Sequence, residues 1–294
     1  MVVEGPGSEA RASAYDVSIV LPRRIEPPQL VLDTLARIRA LSSTLRVEVI
    51  IVDDSGLGCD HAYLQPSHGD VVVISNDKNY GKGYSIAAGV RKAAGRYVFY
   101  SDIDLPVDIE DLPQAMAALE STSKPAILIG VRVPAAGAPV RSNLLRRITS
   151  RTYLRLFNLL LEPTVRDSQC PFKLVERGFA QQLFARLFVR GYAFDAELIH
   201  VAGRVGAEVR QYPVTWRDER APWSAWKTAW VFGRMVYDLL SIRLYWSLHR
   251  SDLKHPSSAS RRAPALAVAS PTSLPDAMTL HREAPSAKRR AEIT

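Results

Sequence analysis

Two hydrophobic rhythms take turns along residues 16–246. Short apolar runs at Asp16–Pro22, Val47–Val52, Val71–Ile74, Tyr97–Ser101 and Ala126–Gly130 predict buried strands. Between them, Leu30–Ser42 places Leu32, Leu35, Ile38 and Leu41 at helical spacing, and Gly83–Ala94 and Ile109–Leu119 predict two more helices. Strands alternating with helices in this way predict an α/β chain, a mostly parallel sheet with helices on both faces. The second half predicts a long helix over Leu144–Leu161, strands at Phe172–Leu174 and Val209–Trp216, and helices over Phe179–Phe188 and Phe194–Val205. No internal repeat is visible.

The last periodic segment is Ser224–His249. Lys227, Arg234, Asp238, Ser241 and Tyr245 form a narrow polar stripe, and Trp226, Phe232, Met235, Leu239, Leu240 and Trp246 form a wide apolar arc interrupted by Arg243. Its charges argue against a spanning helix and for one lying in a membrane surface. The resulting organisation is a flexible leader over 1–14, one catalytic-size domain over 15–220, an amphipathic helix over 221–250 and a disordered tail over 251–294. The tail is rich in Ala, Pro, Ser and Arg without periodicity.

Composition narrows the function classes. The 294 residues carry a formal charge of +8, which suits phosphorylated substrates, an anionic membrane surface or nucleic acid. Zinc-finger spacing and RNP-type aromatic motifs are missing, so nucleic acid is not expected as a partner. Seven basic residues against four acidic ones leave the tail positive, and the domain stays basic without it. Two cysteines, Cys59 and Cys170, build no disulfide framework, and the first residues carry no apolar signal segment. A cytoplasmic enzyme, peripheral at the membrane, is the expectation.

Carboxylates end two of the expected strands: Asp53-Asp54 after Val49–Val52, and Asp102 and Asp104 after Val98–Tyr100. In a doubly wound sheet both sets emerge at the edge where ligands bind. Oxygen ligands at 102 and 104 suit Mg²⁺ or Mn²⁺ holding a diphosphate, and the other set suits a base or ribose. Neither a G-x-G-x-x-G nor a Walker loop is present, which disfavours dinucleotide binding and P-loop hydrolysis. Asn79-Tyr80-Gly81-Lys82-Gly83 still allows backbone N–H groups at a helix start to meet an anion, with Lys82 adding charge. Five arginines at 141, 146, 147, 151 and 155 offer cations to a phosphate, Arg147/Arg151 and Arg151/Arg155 sharing a helix face.

Eight elements in order carry a resemblance. Ser18-Ile19-Val20-Leu21-Pro22 with Glu26, Ile51-Val52-Asp53-Asp54-Ser55, Asn79–Gly83, and Tyr100–Leu105 occupy the first half. Gly130 with Arg132, Asp167–Lys173, Ala193–Leu198 and Pro213-Val214 with Trp216 occupy the second. Together they resemble the GT-A glycosyltransferases of family 2, and among them the dolichyl- or polyprenyl-phosphate β-glucosyltransferase branch. The resemblance implies a GT-A fold and an inverting transfer of a hexose, glucose first, from a UDP- or GDP-sugar to a prenyl phosphate. It implies that Asp53 and Glu26 meet the nucleotide and that Asp102 and Asp104 reach its diphosphate through the metal ion. Arg132, Arg146 and Lys173 would face phosphates, and Asp167, Gln169, Asp195 and Glu197 would line the sugar and acceptor cavity. Asp54 and Lys82 join the donor side, and Arg146, Arg147, Asp195 and Glu197 the catalytic set.

Departures from the family pattern are Arg23-Arg24-Ile25 before Glu26, Pro106 and Asp108 just after the D-x-D, and Pro171 in place of a glycine, which removes an N–H. Two other readings stay open: the same donor chemistry on a soluble acceptor hydroxyl, with Asp195 or Glu197 as base, and a nucleotide-sugar-binding protein without catalysis.

Overall fold

The computed structural model describes residues 14–57, 71–134, 144–162, 164–217 and 224–250, all within one compact unit, Met1–Ala263. Residues 1–13 of the expected leader, Cys59, Arg141 and the expected tail over 251–294 lie outside the described residues.

Seven strands form one sheet: β1 (Val17–Arg23), β2 (Val47–Asp53), β3 (Val71–Ser75), β4 (Tyr97–Tyr100), β5 (Ala126–Pro134), β6 (Lys173–Glu176) and β7 (Glu208–Trp216). Their order across the sheet is β3-β2-β1-β4-β6-β5-β7. All neighbours pair parallel except at β6, which runs antiparallel to both β4 and β5. The helices are α1 (Pro28–Ala40), α2 (Lys82–Lys92), α3 (Leu112–Glu120), α4 (Leu144–Leu160), α5 (Arg177–Phe184), α6 (Phe194–Arg204) and α7 (Ala225–Leu248). The expected α/β fold with helices on both faces is the one observed.

Alternation along each strand divides the core in two. Ile19, Val49, Ile51, Phe99, Leu128 and Leu174 point to the face covered by α1 and α3. Val20, Ile50, Val52, Val98, Ile129 and Val175 point to the opposite face, where α2 and α4–α7 pack. The central strands are largely apolar on both sides because both faces are covered, and the buried exceptions Ser18 and Glu48 bond to each other. Helix α2 lies close on the sheet at Gly89, where a Cβ would come within 2.3 Å of Val20.

Direction decides what the sheet edge carries. β1, β2 and β4 are parallel, so Arg23, Asp53 and the chain following Tyr100 emerge together. β5 runs the same way and delivers Arg132, while antiparallel β6 starts at that edge and brings the segment before Lys173 to it.

Candidate functional site

Asp102 and Asp104 do not continue the strand. β4 ends at Tyr100, and the amide of Leu105 donates to the carbonyl of Asp102 (3.0 Å), closing a turn in which Leu105 takes φ 41°. The alternation argument for the two carboxylates therefore gives way to turn geometry, while their place at the ligand edge stands. Lys82 Nζ sits 2.6 Å from Asp102 Oδ1, so this oxygen already collects a cation. Among the described residues no three His, Cys, Asp or Glu side chains cluster as a closed metal cage. Two carboxylates with the remaining positions left to phosphate and water are the usual protein share for Mg²⁺. The oxygen donors at 102 and 104 fit such an ion or Mn²⁺.

Asp54 has a different task from the one expected. It accepts from Asn76 Nδ2 (2.8 Å), the Tyr80 amide (2.9 Å) and the Gly81 amide (2.7 Å), binding the loop before α2 to the end of β2. The amides of Gly83 and Tyr84 donate to the Arg190 carbonyl. The anion expected at this glycine-flanked loop is thus the protein's own carboxylate. Gly81 takes φ 98°, and a Cβ there would meet the Arg190 carbonyl oxygen at 2.6 Å. Asp53 is 1% exposed and pairs with Arg23 (3.1 Å). Glu26 accepts from the amides of Arg24 and Ile25, and its carbonyl accepts from the Arg23 guanidinium. Arg23, one of the departures from the family pattern, therefore ties together the two residues expected to meet the nucleotide.

A cavity of about 440 Å³ opens beside Asp102. Its cations are Lys82, Arg132, Arg146, Arg151 and Arg166, and its carboxylates Asp102 and Asp167. Tyr192, Trp216, Leu154 and, from α7, Val231, Phe232 and Met235 make it apolar elsewhere. Arg132 grips Asp167 through Nε and Nη2 (2.6 and 3.0 Å) and lies 5.3 Å from the Trp216 ring centre. Gln169 lines the cavity as expected. Its Nε2 and the hydroxyl of Tyr153 are buried without a hydrogen-bond partner among the described residues. Burial, with Asp195 and Asp238 nearby, pushes the Tyr153 phenol far above its ordinary value, so it is a permanent donor.

Four sequence expectations are corrected here. Lys173 is 0% exposed: its ammonium reaches the carbonyls of Ser168 and Cys170 and the Asp195 carboxylate (3.0 Å), and it is not part of the lining of the cavity beside Asp102. It braces the 168–171 loop from inside. Asp195 is buried between Lys173 and the Tyr100 hydroxyl (2.7 Å). Glu197 accepts from the amides of Phe188 (3.0 Å) and Val189 (2.8 Å) and from Trp246 Nε1 (2.9 Å), joining α6 to α7. Burial pushes its carboxyl up to about 8 against these three donors. Arg147 is exposed and absent from the cavity, which takes Arg146 and Arg151 of α4 instead.

Pro171 still serves through its carbonyl, which accepts from Ser101 (2.6 Å) and fastens the loop to β4. Cys170 beside it is fully buried, and burial pushes its thiol up to about 12. Sequence reasoning missed Tyr153, Arg166 and Tyr192. Arg166 adjoins the Asp167 motif and was open to discovery by that proximity, whereas Tyr153 and Tyr192 carried no local signal.

Comparisons with known proteins bear on the family and the fold. Residues 18–184 match Glycosyl transferase family 2. A dolichyl-phosphate β-glucosyltransferase of Saccharomyces cerevisiae is 25% identical over 253 residues, 79% of this chain and 75% of the relative. That of Mus musculus is 28% identical over 277 residues, 86% and 84% of the two chains. Among solved structures, glucosyl-3-phosphoglycerate synthase from Mycobacterium tuberculosis in complex with Mn²⁺, UDP and glucosyl-3-phosphoglycerate superposes with a TM-score of 0.58. The identity is 18%, covering 78% of this chain and 80% of that one. Mannosyl-3-phosphoglycerate synthase from Rubrobacter xylanophilus gives 0.58 at 20% identity, covering 81% and 75%. With the motif order, the GT-A sheet and a matched span of more than half its length, the chain belongs to glycosyl transferase family 2, enzymes that take their sugar from a nucleotide-sugar donor.

Proposed function

We propose that this chain transfers a hexose, glucose first, with inversion from a UDP- or GDP-sugar to a polyprenyl or dolichyl phosphate. The observation that carries the reading is the mixed lining of the cavity, five cationic side chains together with Val231, Phe232 and Met235 of α7. A phosphate monoester on an isoprenoid chain has that mixed character.

The chemistry needs no general base. A phosphate monoester is largely ionised at neutral pH, its second pKa being about 6. Its oxygen attacks the anomeric carbon, the bond from that carbon to the donor diphosphate breaks, and the nucleoside diphosphate leaves with the electron pair. This agrees with the burial of Asp195 and Glu197, the two carboxylates expected as bases for a hydroxyl acceptor, neither of which lines the cavity. Asp102 and Asp104 would hold Mg²⁺ or Mn²⁺, which stabilises charge on the departing diphosphate as a Lewis acid. Lys82, beside Asp102, adds a further cation at the same point. Arg146, Arg151 and Arg166 supply charge for the acceptor phosphate, and Arg132 holds Asp167 at the cavity wall.

The test incubates purified protein and Mn²⁺ with labelled UDP-glucose or GDP-mannose and one of three acceptors: prenyl phosphate, the matching prenol, or 3-phosphoglycerate. Label on prenyl phosphate, lost with EDTA and weakened in KM for the acceptor by Arg146→Ala/Arg166→Ala, supports the reading. Transfer to the prenol or the soluble phosphate alone sinks it.

A further inference from the structure

Helix α7 divides into two faces with different jobs. Thr228, Val231, Phe232 and Met235 line the cavity. On the opposite side Trp226, Trp230, Tyr237, Leu240, Leu244 and Leu248 stand exposed, Trp226 at 81% and Leu248 at 72%. At 3.6 residues per turn these six fall within about 80° of one another. They make an apolar stripe along the 24 residues of the helix, about 36 Å at 1.5 Å per residue. This differs from the expected arc, in which Leu239 and Trp246 stood beside Leu240: both are buried in the core.

We propose that this stripe is a docking surface for an anionic lipid bilayer, with α7 lying in the plane of the headgroups. Two observations and one geometric consequence select a bilayer. On the helix itself the charged residues beside the stripe are cationic: Lys227 and Arg234 flank one side and Arg243 the other. The single acidic residue of the helix, Asp238, is buried and paired with Arg234 (3.2 Å). Cationic side chains at the rim of an apolar face extend their charges to lipid phosphates while their stems stay apolar. Second, three of the six residues are Trp or Tyr, whose rings combine an apolar body with a polar tip and favour the membrane–water boundary. Third, the docked helix would hold the cavity about one helix diameter, ~10 Å, below the headgroups. No helix among the described residues is long and apolar enough to cross a membrane, so contact through the stripe is parallel to the surface.

The proposal deepens the lipid-acceptor reading of the cavity, and its test leaves that reading out. The full chain is floated with vesicles of phosphatidylcholine alone or with roughly 30 mol% phosphatidylserine, containing no prenyl phosphate. The intact chain should rise with the anionic vesicles, and brominated acyl chains should quench part of its tryptophan emission. Leu240→Glu/Leu244→Glu, two exposed positions away from the cavity, should keep the melting temperature and lose at least about tenfold in vesicle partition. Equal partition of the variant and the intact chain overturns the proposal, as does an intact chain that neither floats nor is quenched. A double variant that changes a dimer to a monomer in solution while floating unchanged would assign the stripe to a second copy instead. Any of these failures leaves transfer to detergent-solubilised prenyl phosphate open to measurement, and failure of that transfer leaves the flotation result intact.

Discussion

Replacing Lys173 by methionine separates a brace from a substrate contact. The side chain is wholly buried, and its ammonium is shared among two loop carbonyls and Asp195 at 3.0 Å. Methionine matches the stem in length and removes the charge. Asp195, 3% exposed, then keeps only the Tyr100 hydroxyl as a named partner, and its charge is uncompensated in the core. Breaking a buried pair from one side costs about 3–5 kcal/mol, because the remaining charge stays desolvated. Against a total stability of about 5–15 kcal/mol this is a large fraction. At ~2–4 °C per kcal/mol for a domain of this size, the melting temperature should fall by about 10 °C. Asp195→Asn in the same chain should restore several degrees, since the double variant carries no unpaired charge. Thermal and urea unfolding of the two single variants and the double variant give the coupling directly. The reasoning is refuted if Lys173→Met melts within about 1 °C of the parent while KM for the donor rises, the pattern of a phosphate contact.

Two further outcomes follow from the site. Glu197, raised to about 8 in the folded chain from an ordinary 4.5, holds a proton that the unfolded chain releases. Its stabilising contribution is therefore full below about pH 4.5 and declines until it is lost above about pH 8. Melting temperature should fall with pH across that window more steeply in the parent than in Glu197→Gln, and parallel slopes would remove the argument. Tyr153→Phe deletes a buried hydroxyl that has no partner among the described residues, so it should raise stability by about 1 kcal/mol. The same change should lower kcat/KM roughly tenfold if that donor meets substrate. A less stable Tyr153→Phe chain with full activity would show that the hydroxyl supports the fold.

The run of strands and helices was legible because each element announces itself locally. Ile19 and Val20, or Ile50 and Ile51, alternate between two apolar faces, and continuous apolar strands imply helices on both sides. The antiparallel course of β6 was not legible: four residues, Lys173–Glu176, carry no mark of direction. That course brings the 166–172 segment to the ligand edge, and with it Asp167 and Gln169.

The residue types of the site, and their order along the chain, were fixed by the sequence alone. Motifs placed carboxylates at 53, 54, 102 and 104, a lysine at 82 and acids at 195 and 197. Which of them face a ligand was decided by tertiary packing. Asp54 turned out to bind its own loop, Lys173 and Asp195 to neutralise each other in the core, and Glu197 to join two helices. Tyr153, buried on α4, became part of the cavity only when α4 packed against α7. A motif records which groups are needed near an edge, but a charge faces outward or inward according to the partner that packing brings within about 3 Å, and that partner lies tens of residues away in the chain.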